Sequence, residues 1–191
     1  MRSSGILMHI TSLPGPYGIG TMGKSAYQFL DFLRQAGQRY WQILPLSPTG
    51  FGDSPYQAFS TNAGNPYLID LHRLVEEGLL NQAEPDSVFW GSDPGRVDFG
   101  TLYQQRLRIL KLARDRFQPD ADYEAFLQEN CHWLEDYSLF MAIKSHLGGQ
   151  VWTQWPRELK FREPQALDKL RRDLHDEISL HRFVQYQFAR Q

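Results

Sequence analysis

A chain of 191 residues, 41% hydrophobic and 22% charged, can bury the core of one domain of moderate size. Its formal net charge of −2 excludes a basic field that would draw nucleic acid or an anionic membrane. The marked departure from average is the 14% aromatic content, and rings in that number build cores or platforms for flat, neutral ligands.

The first element is the continuous apolar run Gly5-Ile6-Leu7-Met8-His9-Ile10, closed by Thr11-Ser12-Leu13-Pro14-Gly15. Such a run, ended by turn residues, predicts a parallel-sheet strand buried on both faces. A glycine-rich loop, SLPGPYGIGTMG, leads to a predicted helix from Lys24 to Ala36. Its apolar face is Phe29, Phe32, Leu33 and Ala36, and Gly37 stands where a helix-stopping glycine belongs. Tyr40 to Leu44 then predicts a second buried strand, stopped by Pro45. Strand, helix, strand at this spacing is a βαβ unit with a right-handed crossover.

After Pro45 the alternation breaks. The stretch GFGDSPYQAFSTNAGNPYLID (50–70) mixes glycine, proline and aromatic residues with Ser, Asp, Gln and Asn, too kinked for a strand and too aromatic for an ordinary linker. Beyond it three helical stripes are predicted as core: Tyr103, Leu107, Leu110, Ala113 and Phe117; Trp133, Tyr137, Phe140 and Met141; and Leu180, Phe183, Val184 and Phe188. Connectors rich in Gly, Pro and Trp, such as Gly148 to Pro156, separate them. One βαβ unit followed by helices reads as the beginning of a larger α/β protein, since two parallel strands cannot bury a sheet's faces alone.

Chemistry in parallel α/β folds sits past the carboxyl ends of the strands, which here selects the loops Thr11–Gly23 and Leu46–Asp70. Gly18, Gly20 and Gly23 match G-x-G-x-x-G, but a loop intervenes between strand and glycines, and Leu46 or Ser47 stands where an acidic residue should close the next strand. A dinucleotide site is not expected. His9 is either a hydrogen-bonded core residue or a ligand contact. The other histidines have no i, i+4 partner histidine, so no metal site is expected. In Ser54-Pro55-Tyr56-Gln57, Pro55 stiffens the backbone that presents the Tyr56 ring, with Ser54 and Gln57 offering hydrogen bonds beside it. A pyranose, apolar on its faces and hydroxylated at its rim, suits that arrangement; a tyrosine that anchors a packed loop suits it equally. Asp53, Asp70 and Asp98 read as turn or capping residues, because nothing in their spacing makes the close carboxylate pair a retaining glycosidase needs.

The lone Cys131 permits no intrachain disulfide and suits a reducing cytoplasm, and no 18-residue apolar run occurs. A soluble cytoplasmic protein is expected.

The blocks GILMHITSLPGPYGIGTMG and YWQILPLSPTGFGDSPYQAFSTNAGNPYLIDL, followed by VDFG and GGQVWTQWP, resemble the amino-terminal part of the 4-α-glucanotransferases (amylomaltases, disproportionating enzymes) of glycoside hydrolase family 77. The resemblance covers in effect the whole chain. It implies the start of a (β/α)₈ TIM barrel, incomplete within these residues: a first βαβ unit with substrate-facing loops (1–70), a mainly helical insertion (71–156) and helices leading toward a third barrel strand (157–191). It implies transfer of α-1,4-glucan segments between maltooligosaccharides through a covalent glycosyl-enzyme, with no cofactor or essential metal. Tyr56 matches the family tyrosine that stacks on substrate; Ser54, Gln57 and His9 are further candidate contacts. Where some members carry a tyrosine at an accessory glucan groove, this chain has Phe51, which keeps the ring without the hydroxyl. The catalytic carboxylates are implied to follow later strands, so no residue here is assigned a catalytic role. The chain is expected to bind donor glucan, to be inactive alone, and to have the carboxyl-terminal part of the same enzyme as a partner. A hydrolytic α-glucosidase or amylase-like enzyme and a non-catalytic maltooligosaccharide-binding fragment are the alternatives.

Overall fold

The computed structural model describes residues 2–191 apart from the Phe51 side chain, on which the reading of an accessory groove falls and which therefore lies outside the described residues. Two short strands, β1 (Gly5–Leu7) and β2 (Tyr40–Gln42), pair in parallel with Gly5 opposite Tyr40 and Leu7 opposite Gln42. Helix α1 (Lys24–Gln35) connects them, as the βαβ pattern predicts. The helices α2 (Leu71–Glu76), α3 (Ala83–Asp86), α4 (Phe99–Arg116), α5 (Ala121–His146), α6 (Arg157–Lys160), α7 (Pro164–Asp173) and α8 (His175–Arg190) follow. The result is mostly helical, with a small open parallel sheet.

Two compact units are present. One runs to Gln118 and takes in Gln187–Gln191; the other is Pro119–Tyr186. In the first, Ile10, Leu13, Ala26 and Leu68 form a buried cluster against which Phe29, Trp41, Ile43 and Phe188 pack. In the second, Leu139, Ala142, Ile143, Trp155, Leu159, Leu167, Leu174 and Ile178 form the core.

Helix α1 ends as its sequence demands. Gly37 adopts φ +69°, the Gly37 N–H donates to the Arg34 carbonyl (3.1 Å) and the Gln38 N–H to the Leu33 carbonyl (2.9 Å), the paired bonds of a Schellman stop. Its buried face differs from the expected one: Ala26 and Leu33 are buried with Phe29 packed beside them, while Phe32 is exposed and only stacks on Phe29 at 6.0 Å.

The strands are not buried on both faces, and this corrects the sequence expectation. Side chains alternate across a strand, so Ile6 and Trp41 share one face and Leu7 and Tyr40 the other. The first face receives α1, through the Phe29–Trp41 edge-to-face contact at 5.0 Å. On the second, Leu7 and Tyr40 are 62% and 64% exposed. The apolar run also stops being strand at Leu7, because Ile10–Ser12 turns into a 3₁₀ helix that directs Ile10 into the core.

The α4 stripe is also displaced. Leu102, Arg106, Ile109, Leu110 and Ala113 are the buried set, whereas Tyr103 is exposed. The α8 stripe holds, with Leu180, Phe183 and Val184 buried.

Candidate functional site

Because β1 and β2 are parallel, the loops that leave their carboxyl ends start from one edge of the sheet, and hydrogen bonds tie the two loops together. The Met22 N–H donates to the Leu68 carbonyl (2.9 Å), and the Thr21 hydroxyl donates to the Asp70 carboxylate (2.5 Å). Gly23, directly before α1, is required by this approach: a Cβ there would collide with the Asp70 carboxylate. A carboxylate therefore already lies against the amino-terminal end of α1, the place a dinucleotide phosphate would need.

The second loop is a strapped hairpin. Its base is closed by the Asn65 N–H donating to the Leu46 carbonyl (2.8 Å), and Thr49 and Ala58 form an antiparallel bridge above it. Gly52 (φ +71°) and Asp53 (φ +53°) both take left-handed backbone, which folds the chain back before the tip. At the tip the Gln57 N–H donates to the Ser54 carbonyl (3.1 Å), the bond of a β-turn with Pro55 at its second position. The Ser54 hydroxyl oxygen accepts from the Tyr56 N–H (3.3 Å). Ser54, Tyr56 and Gln57 thus share one turn. The Tyr56 ring is 72% exposed, and among the described residues no ring contact or hydrogen bond holds it. An anchoring tyrosine would be buried; this one is presented to solvent on a constrained backbone.

His9 stands apart from that turn, just past β1. Its Nδ1 accepts the Leu44 N–H (3.2 Å), linking the segments that leave the two strands and placing the ring proton on Nε2. Burial holds its pKa below the usual histidine value, so the imidazole is neutral. The core reading of His9 accounts for this bond, and a ligand contact through Nε2 is compatible with it.

Asp70 and Asp98 are structural. Asp70 caps α2 by accepting from the Arg73 N–H (3.1 Å) as well as from Thr21, and its own N–H donates to the Gln191 side-chain oxygen (2.6 Å). Asp98 caps α4, accepting from the Thr101 N–H (3.0 Å) and hydroxyl (2.8 Å), and these bonds hold its pKa below the usual carboxylate value. A general acid needs a shift in the other direction.

Sequence reasoning missed the residue that fixes the end of this loop. Arg106 of α4 is fully buried and donates to the carbonyls of Pro66 (Nε, 3.4 Å), Tyr67 (Nη2, 2.8 Å) and Ile69 (Nη2). Its guanidinium carbon lies 5.9 Å from the centre of the Trp90 ring. Burial pulls its pKa down to about 10, opposed by the negative charge of Asp70, and it remains a cation at neutral pH. An arginine at an i, i+4 position of an apolar stripe was the only signal in the sequence.

In the second unit a cleft of about 310 Å³ opens beside Trp152, Trp155 and Phe140, with Asp136, Lys160 and Arg162 at its rim. It lies in the GGQVWTQWP region, which by composition reads as a connector.

The model of the family described as 4-α-glucanotransferase (Glyco_hydro_77) matches residues 8–191. The chain is 49% identical over 196 residues to the 4-α-glucanotransferase of Thermus thermophilus, covering all of this chain and 38% of that protein. Among solved structures it is similar to the amylomaltase of Streptococcus agalactiae in complex with acarbose, with a TM-score of 0.95 and 43% identity over all of this chain and 39% of that one. The amylomaltase of Corynebacterium glutamicum, at 17% identity and a TM-score of 0.68 over 98% of this chain and 27% of that one, shares the fold. The chain therefore spans well under half the length of the relatives it matches.

Proposed function

Because the chain belongs to the 4-α-glucanotransferase family of glycoside hydrolase family 77, we propose that it supplies the donor-side glucan-binding loops of an enzyme that transfers α-1,4-glucan segments between maltooligosaccharides. The observation that carries this reading is the exposed Tyr56 ring, held on a turn braced by Ser54 and Pro55. The ring stacks on the C–H face of a glucosyl unit, while the exposed Gln57 amide and the Ser54 hydroxyl proton meet its hydroxyls. His9 keeps the strand ends in register from a neutral ring. The acarbose complex of the S. agalactiae relative supports an oligosaccharide ligand.

In this reading β1, α1 and β2 are the first βαβ unit of a (β/α)₈ barrel, working in the cytoplasm. The exposed face bearing Leu7 and Tyr40 is the one that further barrel elements cover. The covalent step needs a nucleophilic carboxylate and an acid/base partner about 5–5.5 Å apart. Asp70 and Asp98 are already committed as helix caps, and this reading assigns the chemistry to residues outside this chain.

The test is chromatography of maltotriose digests. The 191-residue chain alone should release nothing. Mixed with the carboxyl-terminal remainder of the T. thermophilus enzyme, it should yield glucose together with maltopentaose and longer chains. Tyr56→Ala should lower that transfer about tenfold, the loss of one ring contact worth ~1.4 kcal/mol. Transfer by the chain alone would put Asp53 or Asp70 into catalysis. Glucose without longer products would make the activity hydrolytic. Neither transfer on mixing nor any saturable maltooligosaccharide binding would overturn the reading.

A further inference from the structure

We propose that the cleft of the second unit is a separate binding site for a short α-1,4-glucan segment, an inference that rests on the glucan chemistry proposed above. Its volume of about 310 Å³ is that of a small-ligand pocket, and Phe140, Trp152 and Trp155 join aliphatic side chains in its lining. Trp155 is buried, with its indole N–H donating to the Gln150 carbonyl (3.1 Å), and Phe140 lies 5.2 Å from it. These two rings are fixed. Trp152 opens the Trp152–Gln154 3₁₀ turn and is 55% exposed, so one indole is offered to solvent beside a rigid aromatic wall.

The rim supplies what a sugar's hydroxyls require. The Asp136 carboxylate can accept, and Arg162 and Lys160 can donate. Arg162 and Asp136 are already paired at 2.6 Å, and both are more than half exposed, so the pair contributes little to folding. Arg162 takes φ +57° as the residue that stops α6, its N–H donating to the Leu159 carbonyl (3.2 Å) and the Glu163 N–H to the Glu158 carbonyl (2.8 Å), so the helix stop sets the position from which its side chain meets Asp136. With Arg162 and Asp136 neutralising each other, acceptor and donors converge around apolar rings, which favours a neutral polyhydroxylated ligand. A glucosyl unit stacked on Trp152, with its vicinal hydroxyls bridging Asp136 and Arg162, uses the exposed ring and the ion pair together.

Isothermal titration of the 191-residue chain with maltotetraose tests the site, with far-UV circular dichroism to follow the fold of each variant. Saturable binding should persist in Tyr56→Ala. It should weaken at least tenfold in Trp152→Ala and about fivefold in Asp136→Asn, and Trp152→Phe should recover most of it. The exposure of Trp152 and Asp136 makes these substitutions compatible with folding, and cellotetraose should not compete if the α-linked shape is read. Binding that vanishes in Tyr56→Ala and is unchanged in Trp152→Ala would overturn the inference while leaving the Tyr56 loop as the glucan site. Unchanged binding in both variants, or no binding by the wild-type chain, would also overturn it; the maltotriose transfer assay then judges the enzymatic reading independently.

Discussion

Arg106→Ala tests whether one buried cation holds the end of the Leu46–Asp70 loop. The wild-type guanidinium donates to three backbone carbonyls, those of Pro66, Tyr67 and Ile69, from a position with no solvent exposure. Alanine leaves three carbonyls without their donor and a side-chain-sized void beneath Trp90. Each hydrogen bond from a charged donor contributes about 1.5–3 kcal/mol, and the three are not additive because they share one side chain. Breaking such a buried arrangement costs about 3–5 kcal/mol. Arg106→Lys keeps the charge but replaces a planar fork with one ammonium, which cannot span carbonyls on both sides of Leu68; about 2 kcal/mol should be lost. Urea unfolding followed by circular dichroism measures both. Hydrogen exchange should rise first at residues 63–70 in Arg106→Ala, since the loop base loses its tether before the helix does. A loss below about 1 kcal/mol with unchanged exchange there would refute the reasoning. It would mean that those carbonyls find other donors and that α4 does not set the loop.

Two further outcomes are expected. His181 is buried and its pKa is pushed down to about 4, so the folded state stays neutral while the unfolded state takes up a proton below about 6.5. Stability should therefore fall as pH drops from about 6.5 to about 4, by ~3 kcal/mol at most, and His181→Phe should remove that share of the slope in parallel urea titrations. At Gly64 a Cβ would run into the Phe188 ring, so Gly64→Ala should destabilise the chain by about 1–3 kcal/mol, read as a lower thermal midpoint; an unchanged midpoint would show that the ring moves aside freely.

Much of this was legible because it is written locally. The βαβ order, the stop at Gly37 and the capping roles of Asp70 and Asp98 each depend on residues within one or two turns. The turn at Ser54–Gln57 was legible for the same reason, since Pro55 and a serine two residues before an N–H specify it. What was not legible depends on tertiary partners. The apolar run Gly5–Ile10 carries no mark that separates a two-face burial from a strand covered on one face. Tyr103 and Arg106 exchanged their expected places because a buried arginine obeys the carbonyls around it rather than the hydropathy of its own helix. The cleft at Trp152 was not legible because its walls come from α5, the 3₁₀ turn, α6 and α7, and the sequence spacing of these elements does not show that they meet.

The first unit separates two tasks that an enzyme of this family must combine. Two of its carboxylates near the loops are committed to structure: that of Asp70 accepts from the Thr21 hydroxyl and the Arg73 N–H, and that of Asp98 from the Thr101 N–H and hydroxyl. Its Tyr56 ring and Gln57 side-chain amide are exposed and, among the described residues, make no hydrogen bond or ring contact. Binding groups must stay free until substrate arrives, whereas carboxylates that brace a turn cannot also change protonation without loosening it. Asp70→Asn therefore belongs with the structural substitutions. It should relax the contact between the two loops and lower transfer on mixing only indirectly, in step with lost stability, whereas Tyr56→Ala should lower transfer about tenfold with the unfolding midpoint unchanged. If Asp70→Asn abolished transfer while leaving stability intact, the assignment of chemistry to residues outside this chain would have to be withdrawn.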